Sequence, residues 1–294
     1  MKAIFEVAAP AKLNLFLHVV GRRADGYHLL QSVFALIDWR DILHFECRGD
    51  GALVRHDLIT PLPTDDLVLR AARALQRESG CRLGADVSIE KHLPSGAGLG
   101  GGSSDAASTL LALNRLWGLG WSRRRLADLG LTLGADVPCF IGGGNAFVEG
   151  IGETVTPIAV PRQWYGVVKP PASLDTGAVF ARPELRRDTA AVILRGFLAD
   201  AATAPEHPLT TGYGRNDLQL PAQSACPEVA AVAAWLDRRF GNSRMTGSGS
   251  AVYARAGTGD QPVATLQAGE LPVGWVGRMC RGLARHPLAG WAAD

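Results

Sequence analysis

The stretch Pro94-Ser95-Gly96-Ala97-Gly98-Leu99-Gly100-Gly101-Gly102-Ser103-Ser104 constrains the fold of this chain more than any other. Its five glycines permit turns and a close backbone approach that any Cβ would obstruct. Before it, Val87 and Ile89 alternate with Ser88 and Glu90, the period of a strand running into Lys91, His92 and Pro94. After it, Ser103, Ser104 and Asp105 signal a helix start, and Ala106, Ala107, Leu110, Leu111 and Leu113 form an apolar face that ends around Gly118. Strand, glycine loop and helix in that order turn backbone amides and the positive end of a helix dipole toward one point, a seat for phosphate oxygens. The hydroxyls of Ser103 and Ser104 are further donors.

Gly96, Gly98 and Gly101 also fit the G-x-G-x-x-G dinucleotide fingerprint. That unit needs an acidic residue about 20 positions on to hold a ribose, and Leu110 to Arg125 contains none. The P-loop pattern G-x-x-x-x-G-K-[ST] is absent as well, because no lysine follows these glycines. A phosphate here is expected to meet amides and hydroxyls.

Elsewhere, Leu13, Leu15, Leu17 and Val19 give a strand whose other face is mixed, with Lys12 and Asn14 side by side on it. A turn-rich stretch from Gly21 presents Tyr27 and His28 before the apolar run Val33 to Trp39. Thr64, Asp65 and Asp66 open a helix with Leu67, Val68, Ala71, Ala72 and Leu75 inward, ending near Gly80, and a second helix is predicted over Ser122 to Leu133. Gly134 to Pro138 leads to a strand over Ala146 to Glu149, and a lobe boundary is expected near Pro157. Thr189 to Pro208 reads as helix then loop, Glu228 to Phe240 as an amphipathic helix, and Thr246 to Ser250 as a turn before the strand Ala251 to Ala254.

At 294 residues the chain suggests two lobes sharing a cleft. A net charge of +2 gives no field suited to nucleic acid or an anionic membrane, and the clusters Arg123 to Arg125 and Arg186-Arg187 read as solvated surface. Five scattered cysteines without a C-x-x-C pair fit reduced thiols in a cytoplasmic protein. Glu6, Pro10, Lys12 and Asn14 interrupt any signal-peptide core, and no apolar window reaches the length of a bilayer span.

The loop motif Pro-x-Gly-x-Gly-Leu-Gly with Gly-Gly-Ser-Ser-Asp-Ala-Ala resembles the phosphate loop of the GHMP kinases. Ala9 to Leu15 resembles their N-terminal motif and Met245 to Ser250 their C-terminal glycine motif. Within that superfamily, Gly21 to His28 and Gly134 to Phe140 resemble the branch acting on 4-diphosphocytidyl-2-C-methyl-D-erythritol, a match running in order from Pro10 to about Ala254. The resemblance implies an α/β (α+β) fold in two lobes, 1–157 like ribosomal protein S5 domain 2 and 158–294 ferredoxin-like, with ATP and substrate between them. It implies transfer of the ATP γ-phosphate to the 2-hydroxyl of the methylerythritol unit in the non-mevalonate isoprenoid pathway, with Mg2+ accompanying the nucleotide. The partner is a small molecule, and the protein is expected as monomer or homodimer.

The same resemblance assigns roles. Pro94 to Ser104 holds ATP; Asp136 accepts the substrate hydroxyl proton, with Lys12 beside it to stabilise the developing alkoxide. Cytosine lies between Tyr27 and Phe180, His28 reads the base edge, and Asn14 and Thr176 face the diphosphate and erythritol end. Asp66 stands where relatives carry Asn near the adenine pocket; an ionised Asp only accepts, which puts that contact in doubt. The motifs hold no firm magnesium ligand, and Asp105 is at most a helper. The rivals are another GHMP kinase, acting on homoserine or a mevalonate-type substrate, a silent nucleotide-binding protein and, last, a dehydrogenase.

Overall fold

A computed structural model describes residues 1–204, 206–267 and 269–294. The chain opens with two long strands, β1 (Ala3–Arg22) and β2 (His28–Arg48), paired antiparallel along their length. Then come β3 (Leu53–Asp57), α1 (Leu67–Ser79), β4 (Gly84–Glu90), α2 (Gly101–Leu116), α3 (Arg123–Leu131), α4 (Val137–Gly142), β5 (Ala146–Gly150) and β6 (Thr154–Pro157). The second half holds β7 (Trp164–Lys169), α5 (Thr176–Ala181), α6 (Leu194–Thr203), α7 (Pro208–Thr211), α8 (Gln219–Ala225), α9 (Pro227–Phe240), β8 (Arg244–Met245), β9 (Val252–Arg255) and β10 (Val276–Arg281). Among the described residues no helix is long and apolar enough to cross a membrane.

Strands β1 to β6 form one sheet in which β4 and β5 share β2's second edge, β4 along its C-terminal half and β5 along its N-terminal half. The β3–β4 pair is parallel. The other four strands form an antiparallel sheet in the order β10-β7-β9-β8. Alternate residues of β1 and β2 serve two cores. Val7, Ala9, Leu36, Leu43 and Phe45 pack against α1, α2, α3 and α4. Leu13, Leu15, Val33, Ala35 and Ile37 pack against Tyr165, Val167 and Tyr253 of the second sheet. Burial on both faces explains the near-continuous apolar runs in strands that otherwise should alternate. On the far side of the second sheet, Val229, Val232, Ala233 and Leu236 of α9 cover Val168, Met245, Val252 and Ala254.

Helix boundaries follow their capping chemistry. Asp66 caps α1 by accepting from the Leu69 amide at 3.1 Å, and Gly80 closes it in the left-handed region. Ser122 caps α3 through the Arg125 amide. Helix α2 starts two residues earlier than Ser103, because Gly100 adopts φ 71° and lets Gly101 and Gly102 enter the first turn. The short helix α4 has no sequence signature beyond Pro138 and Gly143, and sequence reading missed it. Of the 189–208 stretch, read as helix then loop, Pro205 lies outside the described residues, and the helix occupies Leu194–Thr203.

Arg123 is not solvated surface. Its guanidinium donates to the carbonyls of Ile141 (2.5 Å), Ala292 (2.9 Å) and Ala289, and pairs with Asp294, so it ties the C-terminal segment to α4. Arg125 lies 3.5 Å over the Trp121 ring. All five cysteines are free.

Candidate active site

Lys12 and Asn14 do share a face of β1, and it is the face that matters. The buried Lys12 ammonium donates to Asn14 Oδ1 at 2.5 Å and lies 3.6 Å from Asp136 Oδ2. Asn14 Nδ2 donates to Ser32 Oγ (2.8 Å), whose own hydroxyl donates to the Phe16 carbonyl (2.5 Å), so the amide has one orientation and Lys12 one seat. Asn14 is 2% exposed and engaged by Lys12, Ser32 and Thr246, so it orients the lysine, and it also lines the central cavity. Asp136 sits at the N-cap position of α4 but makes no side-chain capping bond, and its side chain is 31% exposed. An aspartate placed to cap would have spent its oxygens on the helix amides; this one keeps them for the cavity.

The glycine loop closes the next wall. Gly98 has φ +73° and a Cβ there would stand 2.3 Å from the Thr246 carbonyl; one on Gly100 would stand 3.0 Å from Phe140 and 3.2 Å from Lys12. Glycine is required at both by close approach. The loop is stapled to the C-terminal glycine motif, with Ser250 N donating to Gly96 O (3.2 Å) and Ala251 N to Ala97 O (3.1 Å). Ala97 and Leu99 turn their side chains into the core, leaving only backbone to the cavity. No side chain caps α2, and amides at the start of a helix have no intrahelical partner, which suits those beside this cavity to an anion. Ser103 lines that cavity, whereas Ser104 is fully buried and its hydroxyl donates to the Pro10 carbonyl at 2.7 Å. Ser104 therefore contributes no hydroxyl to a phosphate, because its position in the first turn points back under β1.

Three contiguous cavities meet here. One of about 580 Å³ runs along Pro94 to Ser103 to Leu62, Asp66 and Lys91. The central one, about 320 Å³, holds Lys12, Asp136, Gly98 and Ser248. The third, about 680 Å³, holds Tyr27, His28, Phe180, Arg22 and Arg187. Thr176 at the start of α5 lines all three, its hydroxyl 2.7 Å from Ser248 Oγ. Tyr27 is 62% exposed. Phe180 stacks on His28 with centroids 4.9 Å apart and planes at 25°. Burial, with Arg187 and Arg22 nearby, holds His28 below its ordinary pKa.

Sequence reasoning missed several residues here. Arg55 pairs with Asp66 at 2.6 Å, so the departure from Asn is compensated by a cation and the carboxylate also serves as a helix cap. Lys91, the first residue after β4, reaches under the cradle to Asp41 and to Asp105 (2.6 Å). Burial raises the proton affinity of Asp105, Lys91 opposes that and Asp41 adds to it, and the net result lies far above the carboxylate range, at about 8. Its position next to a phosphate-loop strand was a usable signal. Arg187 was read as solvated, and nothing in local pattern ties it to His28, 159 positions away. Among the described residues no group of three or more His, Cys, Asp or Glu could hold a metal ion, and Asp105 is engaged by Lys91.

Residues 66–144 match the GHMP kinases N terminal domain and 205–268 the GHMP kinases C terminal family. The chain is 63% identical over 293 residues to 4-diphosphocytidyl-2-C-methyl-D-erythritol kinase of Methylibium petroleiphilum, covering 99% of both chains. Identity to the same-named protein of Verminephrobacter eiseniae is 54%, over 100% of this chain and 99% of that one. A crystal structure of 4-(cytidine 5'-diphospho)-2C-methyl-D-erythritol kinase superposes with TM-score 0.75 at 34% identity, covering 94% of this chain and 98% of that one. Methanococcus jannaschii mevalonate kinase shares the fold at TM-score 0.61 and 14% identity, over 86% of this chain and 90% of that one. With its three motifs meeting in one cleft and its full length matched, the chain belongs to the 4-diphosphocytidyl-2-C-methyl-D-erythritol kinase family of GHMP kinases.

Proposed function

We propose that this protein transfers the γ-phosphate of ATP to the 2-hydroxyl of 4-diphosphocytidyl-2-C-methyl-D-erythritol in the non-mevalonate isoprenoid pathway. The observation that carries the reading is the Lys12–Asp136 pair, 3.6 Å apart in the cavity between the glycine cradle and the Tyr27–His28–Phe180 cavity. The triphosphate lies along Gly96 to Ser103 against the α2 amides, and the substrate reaches from the opposite side. Asp136 accepts the proton of the attacking hydroxyl. Of the three Lys12 protons, Asn14 takes one and Asp136 attracts another, so the third is left for the charge developing between acceptor and γ-phosphate. Thr176 and Ser248 supply hydroxyls to the substrate where the cavities join.

Tyr27 and Phe180 flank the cytosine, and His28 reads its edge. Magnesium accompanies the nucleotide, held mainly by phosphate oxygens and water. The two lobes divide near Pro157. The test is ADP release by purified protein. It should require both the diphosphocytidyl substrate and magnesium, and a folded protein that instead turned over only homoserine or mevalonate would overturn the assignment.

A further inference from the structure

Arg187 holds a position that the phosphoryl-transfer reading does not explain. Its Nε donates to His28 Nε2 at 3.2 Å, its Nη1 to the Leu185 carbonyl at 3.0 Å, and its Nη2 to the carbonyls of Phe180 (3.0 Å) and Arg182 (3.1 Å). One guanidinium thus grips both the imidazole and the backbone of the ring stacked on it. A guanidinium has donors and no acceptor, so the bond to His28 has a single polarity. Nε2 must be bare, and a neutral imidazole then carries its one proton on Nδ1.

The charged and titratable groups around that ring are Arg187, Arg22, Asp25 and Tyr27, all lining the same cavity. Asp25 is drawn away by Arg23, at 2.7 Å. Burial and the two arginines disfavour the imidazolium, which keeps the ring neutral at physiological pH.

We propose that Arg187 is a specificity-determining positioning residue: by donating to His28 Nε2 it fixes the Nδ1–H tautomer, so that the imidazole offers a donor where cytosine has an acceptor and uracil an N–H. The proposal rests on the reading of His28 as the group facing the base. A donor facing cytosine N3 makes a hydrogen bond, whereas facing uracil N3–H it leaves two donors opposed and desolvated, and rejection by such unpaired groups is stronger than rejection by shape. Arg187 never touches the reacting atoms.

The experiment uses the full chain with 15N-labelled histidine, the His28 signals being assigned with His28→Gln, and compares kcat/KM for the cytidine substrate and its uridine counterpart in wild type, Arg187→Met and Arg187→Lys. Wild type should show Nδ1 protonated and Nε2 bare at neutral pH. Both variants should mix the tautomers and lower the cytidine-over-uridine preference about tenfold, the equivalent of one hydrogen bond, chiefly through KM. Arg187→Lys keeps the charge and a donor but not the planar fork anchored on the Leu185, Phe180 and Arg182 carbonyls, so its failure to restore the preference separates the held donor geometry from charge alone. A protonated Nε2 in wild type overturns the proposal, as does an equal loss for both substrates, the mark of a merely structural role. If either variant fails to fold, the wild-type tautomer still decides. The correct tautomer with no preference for cytidine overturns the discrimination and leaves phosphoryl transfer standing, whereas turnover of neither substrate counts against the parent function.

Discussion

Asp136 and Asp105 are both aspartates near the start of helices, and their surroundings give them opposite chemistry. Asp136 is partly exposed beside an ammonium and free of capping duty. Asp136→Asn should therefore lower kcat by about 10²- to 10⁴-fold, the range for a general base, while ATP affinity, set by the cradle, changes little. Steady-state kinetics with nucleotide titration checks this, and near-normal turnover would remove Asp136 as base. Asp105 is fully enclosed with Lys91 and Asp41 and holds its proton to about pH 8, against 3.8 for a free carboxyl. Across that interval the native state binds more protons than the unfolded one, so this group's contribution to stability is full below about 3.8 and is lost as pH rises toward 8. Asp105→Asn keeps the neutral shape and removes the slope. Its stability relative to wild type should rise between pH 5 and pH 8 in urea melts; a difference flat with pH would contradict the protonated carboxyl.

At the scale of elements, the glycine loop is less a flexible strap than a joint between two motifs nearly 150 positions apart. Gly98 is pressed against the Thr246 carbonyl at positive φ, and its neighbours are bonded to Ser250 and Ala251. Gly98→Ala adds both a backbone clash and strain at a left-handed position, a cost of more than about 1 kcal/mol. The cradle would shift, and since small misplacements near a reacting phosphate are worth about 10²-fold in rate, kcat/KM for ATP should fall by that order. Thermal melts with and without ATP, together with kinetics, test both parts. The strand–loop–helix order and the caps Asp66, Gly80 and Ser122 were legible in sequence because their signals are local. The α4 helix and the true start of α2 were not, since one is six residues long and the other begins in glycine, the residue that usually marks a loop.

For the whole molecule, β1 acts as a shared wall between the sheets. Arg244 of β8, 9% exposed, donates to the Leu15 carbonyl of β1 and to the carbonyls of Gly212 (2.8 Å), Tyr213 (2.8 Å) and Gly214 (2.6 Å). Tyr253 adds hydroxyl bonds to Asn14 O (3.1 Å) and Leu15 O (3.2 Å). Arg244→Met keeps the stem but strands these buried acceptors, at about 1–3 kcal/mol for each one left dry. We expect a fall in Tm larger than for Arg124→Met, an exposed control on α3, and a rise in KM for both substrates because Lys12 and Asn14 ride on the same strand. Calorimetry and kinetics measure the two effects, and a Tm equal to the control's would show that the sheets do not depend on this arginine.

The sequence by itself determined the phosphate cradle, the shared face of Lys12 and Asn14 and the order of the elements, because each depends on neighbours a few residues apart: glycine freedom, strand alternation and helix caps. The family resemblance added Asp136, Tyr27, His28 and Phe180 as a site. Only the tertiary structure decided what each group faces. It turned Ser104 inward, made Asn14 an orienting residue, gave Asp66 an arginine partner, set Lys91 between the buried side chains of Asp41 and Asp105 and brought Arg187 to His28. These are pairings across long stretches of chain, set by how two sheets pack on one strand, and no local periodicity encodes them.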